Sequence, residues 1–168
     1  MAREKQKVAL VLSGGGARGL AHIGVIDVLQ EKGYEITSIA GTSMGSLVGG
    51  IYACGKLDEF KEWGLNLERR KIASLVDFTV SRQGLIKGDR IFKNLKNYLT
   101  IENIEDLPLP YVCVAAEIIH KKEVLFTSGS LYDAIRASIS IPSVFTPVRT
   151  KDGLLVDGGI YNNIPINH

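Results

Sequence analysis

An α/β fold, a three-layer α/β/α sandwich around a mostly parallel central sheet, is what the order of apolar segments predicts. Three observations carry that expectation. A continuous aliphatic run, Val8 to Leu12, stops at Ser13 and three glycines, as a buried parallel strand does on meeting a tight loop. A segment with helical spacing follows, and then a second short apolar run, Ile36 to Ala40. The order strand, loop, helix, strand, turn, helix implies parallel strands joined by right-handed crossovers.

The elements follow in order. From Arg18 to Lys32, the residues Leu20, Ile23, Val25, Ile26, Val28 and Leu29 form a helical stripe, and Gly33 supplies a stop. Gly41 to Gly45 reads as a turn, and Ser46 to Ala53 as a small-residue helix ending near Gly55. Leu57 to Arg70 is expected to form an amphipathic helix, with Leu57, Phe60, Lys61 and Gly64 along one side. Lys71 to Lys87 mixes apolar and turn residues and reads as irregular or short helices. Gly88 to Leu99 is a further helix with Ile91, Phe92, Leu95 and Leu99 on its apolar face. Tyr111 to Ile119 and Glu123 to Phe126 read as consecutive strands joined by the turn His120-Lys121-Lys122. Ser130 caps a short helix to Ser138, with Asp133 at its third position. Leu154 to Val156 is a last strand, entering Asp157-Gly158-Gly159.

The bulk composition bounds the function. A length of 168 residues fits one domain with one core, so a single domain over 1–168 is expected. Hydrophobic residues make up 45% and charged residues 23%, which argues against disorder. The net charge of +2 predicts no nucleic-acid partner. The densest basic groups, Arg69-Arg70-Lys71 and His120-Lys121-Lys122, read as solvated faces or turns. Two cysteines, Cys54 and Cys113, make no disulfide framework and read as small core residues, which fits a reducing, cytoplasmic setting. The polar N-terminus leads straight into the first strand with no cleavable apolar segment. No run reaches the roughly 18 to 20 apolar residues of a membrane span, so membrane contact would be peripheral. The apolar side of Leu57 to Arg70, with Trp63, is one candidate for it, and core packing is the other use of that stripe.

Gly41-Thr42-Ser43-Met44-Gly45 matches G-x-S-x-G and falls between a strand and a helix, the setting of a nucleophile elbow. So tight a turn leaves no room for a Cβ at Gly41 or Gly45, and the helix that follows turns its N-terminal amides toward the serine. The plainer alternative is a turn in which Thr42 or Ser43 caps the helix.

Gly14-Gly15-Gly16-Ala17-Arg18-Gly19 literally satisfies G-x-G-x-x-G. A dinucleotide site also needs an acid at the end of the second strand, and Ser38-Ile39-Ala40-Gly41 has none. A phosphate loop would close on Gly-Lys-Ser/Thr, which Gly19-Leu20-Ala21 does not supply. An oxyanion hole suits these glycines better, because residues without Cβ let backbone N–H groups converge on one small anion. Gly15, Gly16 and Ala17 are its candidate donors, with Met44 after the nucleophile. Arg18 adds positive potential there or anchors the loop through a salt bridge.

Asp157 follows a strand and precedes two glycines, which by itself describes a plain Asp-Gly turn. His22, His120 and His168 lie one turn into a helix, in a hairpin turn and at the last residue. None has the loop setting of a triad base, and no pair has metal-ligand spacing. A carboxylate touching the serine directly remains available as base, if burial raises its pKa.

The three pieces in this order resemble the signature of the patatin-like phospholipase family. Gly19-Leu20-Ala21-His22-Ile23-Gly24 and Ala137-Ser138-Ile139-Ser140-Ile141-Pro142 are similar to further family blocks, and the resemblance runs from Val8 to about Ile166. It is nearest to the short, single-domain bacterial members. The resemblance implies a Ser–Asp dyad, Ser43 as nucleophile and Asp157 as base, with neither metal nor cofactor. It implies an oxyanion hole in the loop Gly14 to Gly19 together with Met44, and motif glycines at Gly41, Gly45, Gly158 and Gly159. Phospholipids, lysophospholipids and other acyl esters are the implied substrates. Family domains continue past this point with a helix and a strand, so a C-terminally truncated domain is expected. The competing functions are a nucleotide-binding module using the glycine loop and a non-catalytic lipid-binding or scaffold domain.

Overall fold

The computed structural model describes residues 5–65, 89–151 and 153–168. The segment expected to be irregular at Lys71 to Lys87, the basic group Arg69-Arg70-Lys71 and the end of the helix expected to reach Arg70 lie outside the described residues. Strand β1 (Lys7–Leu12) leads through a 3-10 turn (Gly16–Leu20) into α1 (Ala21–Glu31). Next come β2 (Glu35–Thr42), α2 (Met44–Ala53) and α3 (Leu57–Leu65). Helix α4 (Asp89–Leu95), β3 (Tyr111–Glu117) and β4 (Lys122–Phe126) follow. The last elements are α5 (Leu131–Ser138), β5 (Val148–Arg149) and β6 (Leu154–Asp157).

The elements differ from those expected in several places. The helix expected from Arg18 begins as a 3-10 turn, because Gly16 takes a left-handed φ of 54° and redirects the chain before α1 starts. Only Ile23 and Ile26 of its expected stripe are buried, while Val25 and Val28 stay 50% and 46% exposed on another side of the helix. The helix expected to run to Leu99 ends at Leu95 and continues as turns. The two-residue strand β5 was not expected at all, and it pairs antiparallel with β6. Ser130 caps α5 as read, accepting a hydrogen bond from the Asp133 N–H at 3.2 Å.

The sheet is mixed. Strands β1, β2 and β3 are parallel neighbours, and β4, β5 and β6 join antiparallel. One face of the parallel half carries Leu12, Ile36, Ile39, Tyr111 and Cys113, and the register shift between Val8 and Ala9 brings Ile36 and Ile39 to the same side. These side chains share one buried cluster with Ile23 and Ile26 of α1, Leu47, Val48 and Ile51 of α2, and Leu131 and Ile135 of α5. Leu57 and Phe60 of α3 and Phe92 and Leu95 of α4 join the same cluster. The described residues therefore make the sheet and one of the two expected layers of helix. Over the opposite face, near the strand ends, lies the segment after β6: Thr42 Oγ1 donates to the Asn162 carbonyl at 2.8 Å, and Pro165 is fully buried.

The pairing of β3 brings two strand ends together. Strand β4 pairs with β3 along Cys113 to Glu117. The opposite edge of β3 is shared by two strands, β2 over Tyr111 to Val114 and β6 over Ala115 to Glu117. Because β2 runs with β3 and β6 against it, their C-terminal ends meet head to head. Thr42 pairs with Val114 and Asp157 with the next residue, Ala115.

The far end of β6 is held by Glu117, which is 3% exposed. Its carboxylate accepts the N–H groups of Ile119, His120 and Leu154 at 2.8, 2.7 and 3.1 Å, and contacts His120 Nδ1 at 2.8 Å. Burial pushes this carboxyl up, but the amides of His120, Leu154 and Ile119 and the His120 ring outweigh it and hold the pKa down to about 2. A carboxylate with a depressed folded pKa contributes stability that is present above its ordinary value of 4.5 and lost as pH falls toward about 2. We expect Glu117→Gln to melt lower than wild type at neutral pH and to show a shallower decline across that acid window. Thermal melts at a series of pH values read both effects, and equal slopes for the two proteins would contradict the assignment.

Candidate active site

Strand β2 ends at Thr42 and α2 begins at Met44, so the whole reversal of direction falls on Ser43. Its φ of 52° and ψ of −125° lie where a residue with a Cβ is strained, at a cost of about 1–3 kcal/mol. The flanking glycines are sterically required. A Cβ on Gly41 would stand 2.6 Å from the Ser46 Cα, and one on Gly45 would drive into the Leu12 carbonyl oxygen. This is the geometry of a nucleophile elbow.

The Ser43 Oγ donates to Asp157 Oδ2 at 2.5 Å. Both residues are nearly enclosed, at 5% and 7% exposure. The other carboxylate oxygen, Oδ1, accepts the Gly159 N–H at 2.8 Å, which fixes the plane of the carboxyl group. Burial raises the Asp157 pKa above its ordinary value, against the lowering pull of the Ser43 hydroxyl and the Gly159 amide. The second glycine after Asp157 keeps that amide beside the carboxylate, and Gly158 packs so closely on the Val114 carbonyl oxygen that a Cβ would collide with it.

None of the histidines touches the pair. His22 Nε2 lies 2.9 Å from the Ser13 carbonyl oxygen, His120 contacts Glu117, and His168 Nε2 lies 3.1 Å from Glu123. Cys113 is fully buried, and burial pushes its thiol up to about 11, so it holds no nucleophilic thiolate. Cys54 is partly buried, and both cysteines are free. Among the described residues no group of three or more His, Cys, Asp or Glu side chains could hold a metal ion.

Ser43 opens onto a cavity of about 350 Å³ whose walls are almost wholly apolar. Gly16, Ala17 and Met44 lie at the serine, and Leu47, Phe60, Trp63, Phe92, Ile139 and Phe145 extend the lining. Trp63 lies on the stripe read as core packing or as a membrane contact. It stacks on Phe60 at a centroid distance of 5.6 Å, packs against Tyr98 and lines the cavity. Among the described residues no helix is long and apolar enough to cross a membrane.

The glycine loop rests against the elbow. Gly14 is so close that a Cβ on it would lie 3.1 Å from the Ser43 Cβ. The Gly14 N–H donates to the Asn163 carbonyl at 3.1 Å, and the Arg18 N–H to the Gly15 carbonyl at 3.2 Å. The sequence family described as patatin-like phospholipase matches residues 10–168. The chain belongs to that family. An uncharacterised NTE family protein of Mycobacterium tuberculosis is 46% identical over 160 residues, covering 95% of this chain and 44% of the relative. Mouse patatin-like phospholipase domain-containing protein 6 is 34% identical over 165 residues, 94% of this chain and 12% of its own length. The chain thus spans less than half the length of these relatives. Among solved structures, VipD from Legionella pneumophila superposes with a TM-score of 0.58 over 98% of this chain and 47% of its own, at 20% identity.

In this patatin-like chain the structure brings Ser43, Asp157, Gly14, Gly16, Ala17, Met44 and the four motif glycines to one place. Sequence reasoning missed Ser138 and Ser140. Ser138 Oγ accepts the Ser43 N–H at 2.8 Å, and the Ser140 carbonyl accepts the Asp157 N–H at 2.9 Å. Both sit in the block Ala137 to Pro142, whose resemblance to a family block is the signal that points to them. The apolar cavity was also missed, because its walls come from segments scattered along the chain. We expect Gly45→Ala to lower stability by about 1–3 kcal/mol, the usual cost of forced overpacking, since the intruding methyl meets backbone rather than a movable side chain. Urea denaturation measures this, and a variant as stable as wild type would show that the elbow is looser than described.

Proposed function

We propose that the chain is a serine acyl hydrolase acting on lipid esters through a Ser43–Asp157 dyad. The observation that carries this reading is the 2.5 Å hydrogen bond from the Ser43 hydroxyl to a buried carboxylate, made at the mouth of an apolar cavity. Family membership supports lipid-ester chemistry. The cavity suits a hydrocarbon chain, because its walls offer almost nothing for a polar group to bond.

In the reaction, Asp157 accepts the proton as the Ser43 Oγ bonds to the ester carbonyl carbon. The carbonyl oxygen becomes an oxyanion. Gly15 and Gly16 are suited to receive it, because their N–H groups make no hydrogen bond among the described residues. Met44 adds the first amide of α2, which has no side-chain cap. The Gly14 and Arg18 amides are engaged by Asn163 and Gly15, so these residues shape the loop rather than donate to the substrate. The intermediate collapses, the ester oxygen leaves as an alcohol with the proton held by Asp157, and the acyl group stays on Ser43. Water then attacks the acyl-enzyme, giving its proton to Asp157, and the fatty acid departs as the proton returns to Ser43. No step draws on a metal or cofactor. Access to bilayer or micellar substrate is peripheral.

The nucleotide-binding alternative is less well supported, since the glycine loop faces the serine and the apolar cavity. Gly14 packs against Ser43, and no acid stands at the end of β2 to bind a ribose.

We expect Asp157→Asn to lower kcat by on the order of 10³–10⁴-fold, as loss of a catalytic carboxylate does elsewhere, with its circular dichroism unchanged. His22→Ala, His120→Ala and His168→Ala should each keep most of their activity. An active Asp157→Asn beside a dead, folded histidine variant would replace the dyad with a triad. The pH profile gives an independent check. The base works only when ionised, so activity is lost as pH falls through the Asp157 pKa, which burial places above the ordinary aspartate value of 3.8. No limb is expected from a histidine, whose ordinary value is about 6.5. A limb that vanishes on replacing one histidine would contradict the reading.

A further inference from the structure

The backbone N–H of Ser43 is a donor that regular structure cannot satisfy. It comes after the last paired residue of β2, Thr42, and before the first residue of α2. It is buried, and leaving it unpaired there would be destabilising. The simplest relief would be to rotate the peptide between Thr42 and Ser43, which would also swing the Ser43 side chain away from Asp157. The structure offers a different solution. Ser138, fully buried at the end of α5, accepts that N–H at 2.8 Å and donates its own hydrogen to the Val114 carbonyl at 2.5 Å.

The placement of these two bonds is specific. Val114 is the residue of β3 that pairs with Thr42, and its neighbour Ala115 pairs with Asp157. The Ser138 hydroxyl therefore bonds to the elbow and to β3 at the junction where the two strand ends meet. Two residues later the Ser140 carbonyl accepts the Asp157 N–H at 2.9 Å. The end of α5 thus holds the nucleophile by a side chain and the base by its backbone. Its own turn is braced by Arg136, whose Nη1 donates to the Ser140 Oγ at 2.5 Å, while that hydroxyl donates to the Arg136 carbonyl at 2.7 Å.

We propose that Ser138 is a positioning residue for the nucleophile: its hydroxyl fixes the strained backbone of Ser43 so that the serine Oγ stays within proton-transfer distance of Asp157. The proposal rests on the reading of Ser43 and Asp157 as the reacting pair. It does not make Ser138 a catalytic residue, since its oxygen is engaged on both sides and reaches no substrate. A purely structural Ser138 would set the melting temperature and leave turnover by the folded protein unchanged. A positioning Ser138 sets turnover itself, because small displacements of reacting atoms are costly in rate.

The test compares wild type, Ser138→Ala, Ser138→Thr and Ser43→Ala on a short-chain p-nitrophenyl ester, well below each protein's melting temperature. Ser138→Ala is expected to lose about 10- to 100-fold in kcat, the scale of an ångström-sized misplacement, with KM little changed because the cavity walls are untouched. Ser138→Thr, which restores the oxygen, is expected to recover most of that loss. If Ser138→Ala does not fold, Ser138→Cys gives the same reading, since it fills the site with a weak donor and acceptor. A folded Ser138→Ala with wild-type kcat, a loss that appears in KM, or a Ser138→Thr no better than the alanine variant would each overturn the proposal. Ser43→Ala separates the two levels. If it is inactive, the outcome concerns Ser138 alone, and if it remains active the dyad reading fails and the positioning role fails with it.

Discussion

The hydrogen bond between Ser43 and Asp157 joins residues 114 positions apart in sequence, and the rest of the structure can be understood as what makes that contact reproducible. The decisive constraint is topological. A parallel strand and an antiparallel strand share one edge of β3, and their C-terminal ends arrive at consecutive residues, Val114 and Ala115. A purely parallel sheet would place neighbouring strand ends side by side on different edges. Here the antiparallel β6 points its last residue back at the elbow, so an aspartate at that position contacts the serine without an intervening imidazole.

Holding the contact requires strain and burial that would not persist alone. The left-handed Ser43 costs about 1–3 kcal/mol, and the buried carboxylate is destabilised in its charged form. Both are offset by the apolar cluster beneath α1, α2 and α5, by the packed glycines at Gly41 and Gly45, and by hydrogen bonds from each strand end. Burial also has a use. A carboxylate that binds its proton more tightly than in water is a better base toward a hydroxyl, and in a triad a histidine fills that role. The same apolar surroundings continue into the cavity beside the serine, so one solvent-poor environment encloses the carboxylate and, under the proposed function, suits a hydrocarbon chain.

Much of this was legible in the chain. The stop of an apolar run at Ser13, the strand-to-helix setting of Gly41 to Gly45 and the glycines after Asp157 are short-range signals with direct steric causes, and the structure places all three together. The Ser130 cap of α5 is a short-range signal of the same kind. What escaped depends on distance in sequence. Strand β5 has two residues and exists only through its pairing with β6. The exposure of Val25 and Val28 follows from which side of α1 meets the sheet, which helical periodicity alone does not specify. Ser138 looks like any small helix residue until Ser43 and Val114 are brought to it. Trp63 lies on a stripe that read as core packing before membrane contact, and its partners Phe60 and Tyr98 emerge only in the fold.

The central claim is that Asp157 activates Ser43, and the rate of covalent capture tests it most directly. A fluorophosphonate reacts with a serine only when its hydroxyl is made nucleophilic, and mass mapping of the labelled peptide identifies which serine that is. The account predicts a single label on Ser43 in wild-type protein, formed far more slowly in folded Asp157→Asn. A label on another serine such as Ser46, or an Asp157→Asn protein labelled at the wild-type rate, would contradict it.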